Sequence, residues 1–215
     1  MAKDNWCIVS PMSGEGDGTL TVSASGHNGR IGKTTTVTVT ATNGTRPSKS
    51  FTVTQAGAGV MLTLEESKPG LPKEGGKVTI SGTSNSDTLK FQCGQAILGL
   101  VAVLKISGKP DKTVIQNESS PTTVTIPGDP GAMGIYNFTL ELQVPPSRRA
   151  VVTTFKISVY PSDESLKKQC SFTLAPGESS LAINRTDVRL NKDGGAVTSN
   201  GNTVKVTSND NWTVS

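Results

Sequence analysis

The segment that decides the fold of this chain is Leu181-Ala-Ile-Asn184, a Gly194-Gly195 turn, and then Thr203-Val-Lys-Val-Thr-Ser-Asn-Asp-Asn-Trp-Thr-Val-Ser215. Its apolar residues alternate with polar ones, the period-2 pattern of strands with one buried face. Two or three such strands cannot bury that face alone, and they leave a row of unpaired backbone groups. We therefore expect another segment to complete their sheet. The residues predicted to close it are Val204, Val206, Trp212 and Val214.

The beginning of the chain carries the complementary pattern. Asp4-Asn-Trp-Cys-Ile-Val-Ser10 reads as a strand from the start, with no lead-in. Read from tail to head, the two ends give SNDNWTVS followed by MAKDNWCIVSPMSGEGDGTLTVSAS. We predict one domain from residues 1–58 plus 179–215. The ends close either within one chain, which tethering at about millimolar effective concentration favours, or onto a neighbouring molecule by strand exchange.

The middle of the chain repeats the pattern of its ends. Leu62-Thr-Leu64, Gly75-Gly76 and Ser84-Asn85 recur about 120 residues later as Leu181-Ala-Ile183, Gly194-Gly195 and Ser208-Asn209. Each copy of this pattern is preceded by a Ser-Phe-Thr motif, at Ser50-Phe-Thr52 and at Ser171-Phe-Thr173. A repeat of this length predicts a second sandwich of related ancestry over residues 59–178.

The remaining strands follow from alternation and turn residues. Thr34–Thr42 and Tyr136–Val144 alternate clearly, and Asn43-Gly44 is a strong hairpin signal. Gln95–Leu104 is ambiguous between a central strand and a short helix, whereas Pro145–Arg149 is predicted as an exposed hairpin loop. The expected fold is all-β: two immunoglobulin-like β-sandwich domains, one assembled from both chain ends.

Composition argues against several classes of function. The formal charge is only +4, aromatic residues make up 4% of the chain, and the basic residues are spread among acidic ones. No basic stripe with interleaved aromatics is present, so we expect no nucleic-acid partner. The apolar run Ala96–Ile106 is too short to cross a membrane, and the N-terminus shows no export signal.

No convergent catalytic set is recognisable, and we expect neither an enzyme nor a cofactor. His27, the single histidine, lies in a Gly-rich loop and is expected to be solvated. The widely spaced Cys7, Cys93 and Cys170 form neither a disulfide framework nor a metal motif, and are expected to pack as small hydrophobic residues. Two further groups of acidic residues are expected to serve turns and the surface rather than a metal or a glycosidase pair. They are the loops Glu15–Gly18 and Asn191–Gly195, and the pairs Glu65-Glu66 and Asp163-Glu164.

The joined ends resemble a BACON domain, an immunoglobulin-like module of Bacteroidetes and of phages that infect them. The resemblance rests on the Gly194-Gly195 turn, Ser208-Asn209 with Trp212, Trp6, Ser10-Pro11 to Gly14, and the Thr19-to-Val22 strand. A closing Phe51-Thr-Val-Thr-Gln-Ala-Gly57 completes it. The matching segments cover about the first quarter and the last sixth of the chain.

The resemblance implies a structural protein of a crAss-like, Bacteroides-infecting phage, most concretely a capsid decoration (auxiliary) protein. The partners implied are the major capsid protein or other virion proteins, and neighbouring copies through strand exchange. The location would be the virion, assembled in the host cytoplasm.

The alternative is a carbohydrate-binding accessory module, for mucin or polysaccharide, of an exported protein at the bacterial surface. Trp6 and Trp212 are the candidate glycan contacts, although both also suit a core position.

Overall fold

The computed structural model describes residues 3–198 and 201–215. Met1, Ala2, Ser199 and Asn200, which fall within the predicted two-ended domain, lie outside the described residues. The fold is all-β, as expected, with one short 3-10 helix at Glu164–Leu166. The strands are β1 Cys7–Ser10, β2 Thr21–Ala24, β3 Lys33–Thr40, β4 Ser48–Gln55, β5 Leu62–Leu64, β6 Gly76–Ser84, β7 Thr88–Cys93, β8 Val101–Ile106, β9 Lys112–Gln116, β10 Thr122–Thr125, β11 Tyr136–Val144, β12 Thr153–Tyr160, β13 Lys168–Leu174, β14 Leu181–Ile183 and β15 Val206–Ser208.

The central part of the chain, residues 59–178, contains two sheets around one core, and we call it the sandwich. One sheet has the order β5-β6-β11-β8-β9 and the other β10-β7-β12-β13. A single cluster of buried apolar side chains, contributed by both sheets, lies between them. Its largest members include Phe91, Phe138 and Phe155, with Phe155 stacked on Phe172 at a centroid distance of 4.8 Å. Burial on this scale is the main stabilising contribution in a sandwich of this size.

Strand β11 shows how the sequence pattern produces the core. Every second residue from Tyr136 to Val144 is buried, as the alternation predicts. The strand lies at the centre of its sheet and pairs with β6 over its full length, with Leu140 opposite Ile80. On its other edge it pairs with β8, where Leu140 is opposite Leu104. Three apolar residues from neighbouring strands therefore stack on the inner face.

Residues 3–58, which we call the head unit, form two separate hairpins. Strand β1 pairs with β2, and β3 pairs with β4 around the predicted Asn43-Gly44 turn. Their shared core is small and consists of Cys7, Val9 and Val37, with Trp6 and Val53 packed against it. The unit therefore buries far fewer apolar side chains than the sandwich does.

Residues 179–198 and 201–215, which we call the tail unit, contain one short hairpin. Strand β14 pairs with β15 in an antiparallel register that sets Leu181 opposite Ser208 and Ile183 opposite Val206. All three β14 residues are exposed. Within residues 3–198 and 201–215, no strand of the head unit pairs with a strand of the tail unit. The domain formed from both ends therefore stays a prediction, and among the described residues the strands of each end unit pair within their own unit.

One local expectation is confirmed in part and another is wrong. Within Gln95–Leu104, residues 101–104 belong to a central strand, β8. Residues 96–100 are neither strand nor helix but a turn, because Gly99 adopts a positive φ of 90° and Leu100 N donates to Ile97 O, so strand β8 begins only at Val101. Pro145–Arg149 does not connect a hairpin, since β11 and β12 belong to opposite sheets. That loop crosses from one sheet to the other at the end of the sandwich.

Candidate assembly surfaces

The contact between the head unit and the sandwich, which we call the first joint, is organised by Asn85. Its Oδ1 accepts a hydrogen bond from Met61 N at 2.7 Å. Its Nδ2 donates to Gly59 O at 2.9 Å and to Asn28 O, on the β2–β3 loop of the head unit, at 3.1 Å. The residue is fully buried. Because a buried amide without partners is costly, this side chain holds the linker and the head loop in one arrangement.

Charge and backbone contacts strengthen the first joint. Arg30 Nη2 lies 2.6 Å from Asp129 Oδ2 and 3.2 Å from Asp87 Oδ2. Arg30 N donates to Gly131 O at 3.0 Å, and Ile31 N donates to Ala132 O at 2.9 Å. Both carboxylates belong to the sandwich, so the guanidinium of the head unit is clamped between them. The ion pairs are partly shielded, because only a quarter of the Arg30 side chain is exposed.

The first joint also requires close approach of two backbones. A Cβ at Gly131 would collide with the backbone of Asn85, and one at Gly29 would collide with the backbone of Met133. A side chain at Gly29 would push the head loop away from the sandwich, and one at Gly131 would displace Asn85, the residue that organises this joint.

The contact between the sandwich and the tail unit, the second joint, uses the same chemistry. Asn209 Oδ1 accepts from Ser180 N at 2.7 Å, and its Nδ2 donates to Glu178 O at 2.8 Å. Ala150 N, on the β11–β12 loop of the sandwich, donates to Asn209 O at 3.2 Å. The loop that was expected to be an exposed hairpin therefore contacts the tail unit.

The two joints share four hydrogen bonds between positions that lie 119 to 124 residues apart. In each, a serine before the asparagine donates to a linker carbonyl: Ser84 to Met61 at 2.8 Å, and Ser208 to Ser180 at 2.9 Å. In each, a loop carbonyl accepts from the linker at 2.8 Å: Gly29 from Ala58, and Arg149 from Gly177. The predicted internal repeat is thus also a repeat of inter-unit contacts.

The repeated hairpins differ in burial. Strands β5–β6 set Leu62 opposite Ser84, the same register as Leu181 opposite Ser208 in β14–β15. Leu62 is 7% exposed, whereas its counterpart Leu181 is 64% exposed. Ile80 is fully buried, whereas Val204, 124 positions later, is 43% exposed. The tail unit therefore presents an apolar face that the sandwich covers in its own copy.

The head unit has an open apolar face of its own. Strands β3–β4 correspond to β12–β13, because Val39 lies opposite Lys49 as Val159 lies opposite Lys168. Val159 is fully buried, but Val39 is 49% exposed. Other apolar residues of the head unit are exposed to a third or more of their surface. They are Ile8, Met12, Leu20, Val22, Ile31 and Phe51.

Shifted pKa values in this region have local causes. Burial raises the pKa of Tyr136, whose hydroxyl donates to Ser86 O beside the first joint, to about 12. At the second joint, hydrogen bonding from Lys73 lowers the pKa of Glu178, and hydrogen bonding from Ser179 lowers that of Asp210. Burial therefore accounts for the shift of Tyr136, and hydrogen bonds at the second joint account for the shifts of Glu178 and Asp210.

The structure separates the two predicted glycan contacts. Trp6 is half-buried against the small core of the head unit, whereas Trp212 is 51% exposed in the tail unit. Of the predicted domain-closing residues, Val206 lies in β15, Val204 lies just before it, and Trp212 and Val214 lie outside any strand. A glycan contact at either tryptophan, and closure by these four residues, stay predictions.

The other residues weighed in the sequence have ordinary structural roles. Cys7, Cys93 and Cys170 are free and buried, which confirms their expected packing role. His27 Nε2 lies 2.6 Å from Ile31 O within its loop. Asn191 Oδ1 accepts from Gly195 N, as expected for a turn. Two of the surface acids also serve local structure. Glu65 pairs with Lys68, and Asp163 caps the short helix.

Sequence reasoning missed Arg30, Asp87 and Asp129 as a cluster, because they lie far apart in the chain and form no motif. From the sequence, Asn85 and Asn209 were recognised only as markers of the repeat and not as residues that join two units. Their recurrence after a serine was the available signal, since a repeated Ser-Asn pair in a turn commonly bonds to nearby backbone.

No group of three or more acidic, histidine or cysteine side chains in the described ranges is arranged to hold a metal ion. Over the same part of the chain, no helix is long and apolar enough to span a bilayer.

Comparison with known proteins gives limited similarity. No protein-family model matches the chain. No curated protein matches it. Among solved structures, a family 123 glycoside hydrolase from Clostridium perfringens, studied for glycolipid glycan hydrolysis, matches 56% of this chain over 28% of its own length, with 7% identity and a TM-score of 0.33.

The ASH/PapD-like domain 7 of human CEP192 matches 54% of this chain over 87% of its own length, with 10% identity and a TM-score of 0.22. At these TM-scores neither similarity supports an inference about activity or partners. The resemblance to BACON domains stays a prediction.

Proposed function

We propose that this chain is a non-enzymatic structural protein of a virion, a BACON-like capsid decoration (auxiliary) protein of a phage of Bacteroidetes. The observation that carries the structural part is the repeated joint. Both joints commit an asparagine, a serine and backbone groups to one fixed placement of neighbouring units. A chain built in this way positions β units in series, which is what a surface or scaffolding protein requires.

The attachment mechanism follows from the exposed apolar strands. Edge pairing and burial of side chains such as Leu181 and Val39 would fasten the protein to a shell protein or to another copy. Each side chain buried in this way contributes about 1.5 to 3 kcal/mol. The assignment to a virion, rather than to another assembly, rests on the resemblance of the chain ends to phage-borne BACON modules.

The test is association with particles. Purified virions of a phage that encodes the chain would be sedimented through a density gradient and probed with antibody to the sandwich. We expect the chain to co-sediment at a constant ratio to the major capsid protein. Recovery only in the soluble fraction or the host envelope would overturn the proposal.

The exposed side chain of Trp212 favours a second candidate function, which is carbohydrate binding by an accessory module. An exposed indole offers a stacking face for a sugar ring. This candidate predicts binding to mucin glycans that Trp212→Ala abolishes while the circular dichroism spectrum is unchanged. Trp6→Ala is a poor probe of it, because Trp6 also packs against the core of the head unit.

A further inference from the structure

We propose that the tail unit of one molecule completes the head unit of a second copy, with residues 203–208, which include β15, pairing along the free edge of residues 16–21, which lead into β2. The inference deepens the proposed structural role by naming the partner and the register. Its first support is that β14–β15 reproduces β5–β6 in register and in joint contacts. The sandwich therefore shows which kind of surface covers such a hairpin.

In the sandwich, the covering partner of β6 is β11. The counterpart of β11 in the head unit is β2, because each is followed by the loop that forms a joint. Each strand also ends nine residues before the next strand begins, from Val144 to Thr153 and from Ala24 to Lys33. The inward residues correspond as well, since Leu140 and Leu142 of β11 are matched by Leu20 and Val22.

The head unit has the space that this pairing needs. Strand β2 has β1 as its one strand partner within the described residues, so its other edge is unpaired. Leu20 and Val22 are more than a third exposed, whereas Leu140 and Leu142 are almost fully buried. The missing cover is a β6-like strand, and β15 is the strand in this chain that matches β6 outside the sandwich.

The register follows from the sandwich. Ile80 lies opposite Leu140 in the β6–β11 pair, so Val204 of one copy is expected opposite Leu20 of the next. In this arrangement Leu181 enters the new interface, as Leu62 enters the core of the sandwich. Because each molecule offers one head and one tail, the contact is heterologous and extends from copy to copy.

Cysteine cross-linking tests the register between copies. Full-length Leu20→Cys and Val204→Cys variants would be mixed and oxidised, with the three native cysteines buried. We expect a disulfide-linked heterodimer. The matched control replaces Leu20→Cys with Thr21→Cys, which points to the opposite face of β2 and is expected to cross-link at least tenfold less. Equal yields from both mixtures would overturn the register.

The double variant Leu20→Cys/Val204→Cys distinguishes closure within one chain. A covalent ladder of oligomers supports completion by a second copy. An internally linked monomer, identified by intact mass and migration, at every concentration would overturn it in favour of closure within the chain.

Light scattering of the unlinked protein provides an independent readout. We expect the mass of the native chain to rise with concentration and Leu181→Asp to weaken this association at least tenfold, because a charge would enter the apolar contact. Leu98→Asp is the matched control, since Leu98 of the sandwich is also 64% exposed. A native chain that stays monomeric, or an equal effect of both variants, would overturn the inference. Virion association is measured separately, so either proposal can fail alone.

Discussion

The hairpins β5–β6 and β14–β15 share their register and their asparagine-centred contacts, yet they have opposite environments. Leu62 lies in the core of the sandwich, and Leu181 faces solvent. The turn, the pairing and the Ser-Asn bonds are therefore specified locally and form without a core. Burial is contributed by the opposing sheet, which the sandwich has and the tail unit lacks.

The same comparison predicts the largest difference in stability. Leu62→Ala is expected to lower the free energy of unfolding of the sandwich by about 2–4 kcal/mol, since it removes buried methyl groups and leaves a cavity. Leu181→Ala is expected to change it by less than about 0.5 kcal/mol. Urea unfolding followed by circular dichroism, at low protein concentration, measures both. Similar losses in the two variants would contradict the burial argument.

The paired joints give a second contrast. Asn85→Ala removes three partly buried hydrogen bonds to the backbone and is expected to cost about 2–3 kcal/mol. Asn209→Ala, in a more open setting, is expected to cost about 1 kcal/mol. The two tryptophans lie in the end units, so tryptophan fluorescence reports on head and tail while circular dichroism follows mainly the sandwich. A larger loss of unfolding free energy in Asn209→Ala than in Asn85→Ala would contradict the expectation that the first joint is the more stabilising.

Alkaline pH is expected to affect the sandwich more than the end units, because both tyrosines lie in the sandwich. The pKa of Tyr136 is about 12 in the folded protein, against an ordinary value of 10.0. The folded state thus holds this proton more tightly. Its contribution is complete below pH 10 and is lost as the pH rises towards 12, up to about 2.5 kcal/mol.

Unfolding midpoints between pH 8 and pH 11.5 measure this loss. Tyr136→Phe should flatten the decline, although it also removes the hydrogen bond to Ser86 O and lowers stability at neutral pH. An unchanged decline in Tyr136→Phe would assign the pH dependence to other groups.

The smallest effects are expected at the charged contacts of the two joints. Arg30→Ala removes two partly shielded ion pairs and is expected to cost the first joint about 1–2 kcal/mol, visible as faster proteolysis of the linker at residues 56–60. Lys73→Ala removes the exposed ion pair with Glu178 and is expected to leave cleavage after residue 174 unchanged. If the two variants accelerated cleavage equally, at residues 56–60 and after residue 174 respectively, exposure would not decide the strength of these ion pairs.

Local pattern was sufficient to predict much of this fold. Alternation identified β11, Asn43-Gly44 marked the turn between β3 and β4, and the recurring Ser-Asn pairs placed the repeat near 120 residues. These features depend on neighbours within a few positions, where period and turn chemistry act. Residues 96–100 were missed because an apolar run does not distinguish a strand from a turn when glycine permits a positive φ.

The sequence by itself determined an all-β chain with a repeated module and related patterns at its two ends. Only the tertiary structure decided which of the described strands pair within each end unit, that Pro145–Arg149 crosses between sheets, and that Arg30 meets Asp87 and Asp129. It also decided that Leu62 is buried while Leu181 is not. The reason is physical: strand register and turns arise from local sterics and hydrogen bonds, whereas burial and ion pairing depend on which distant segment supplies the opposing surface.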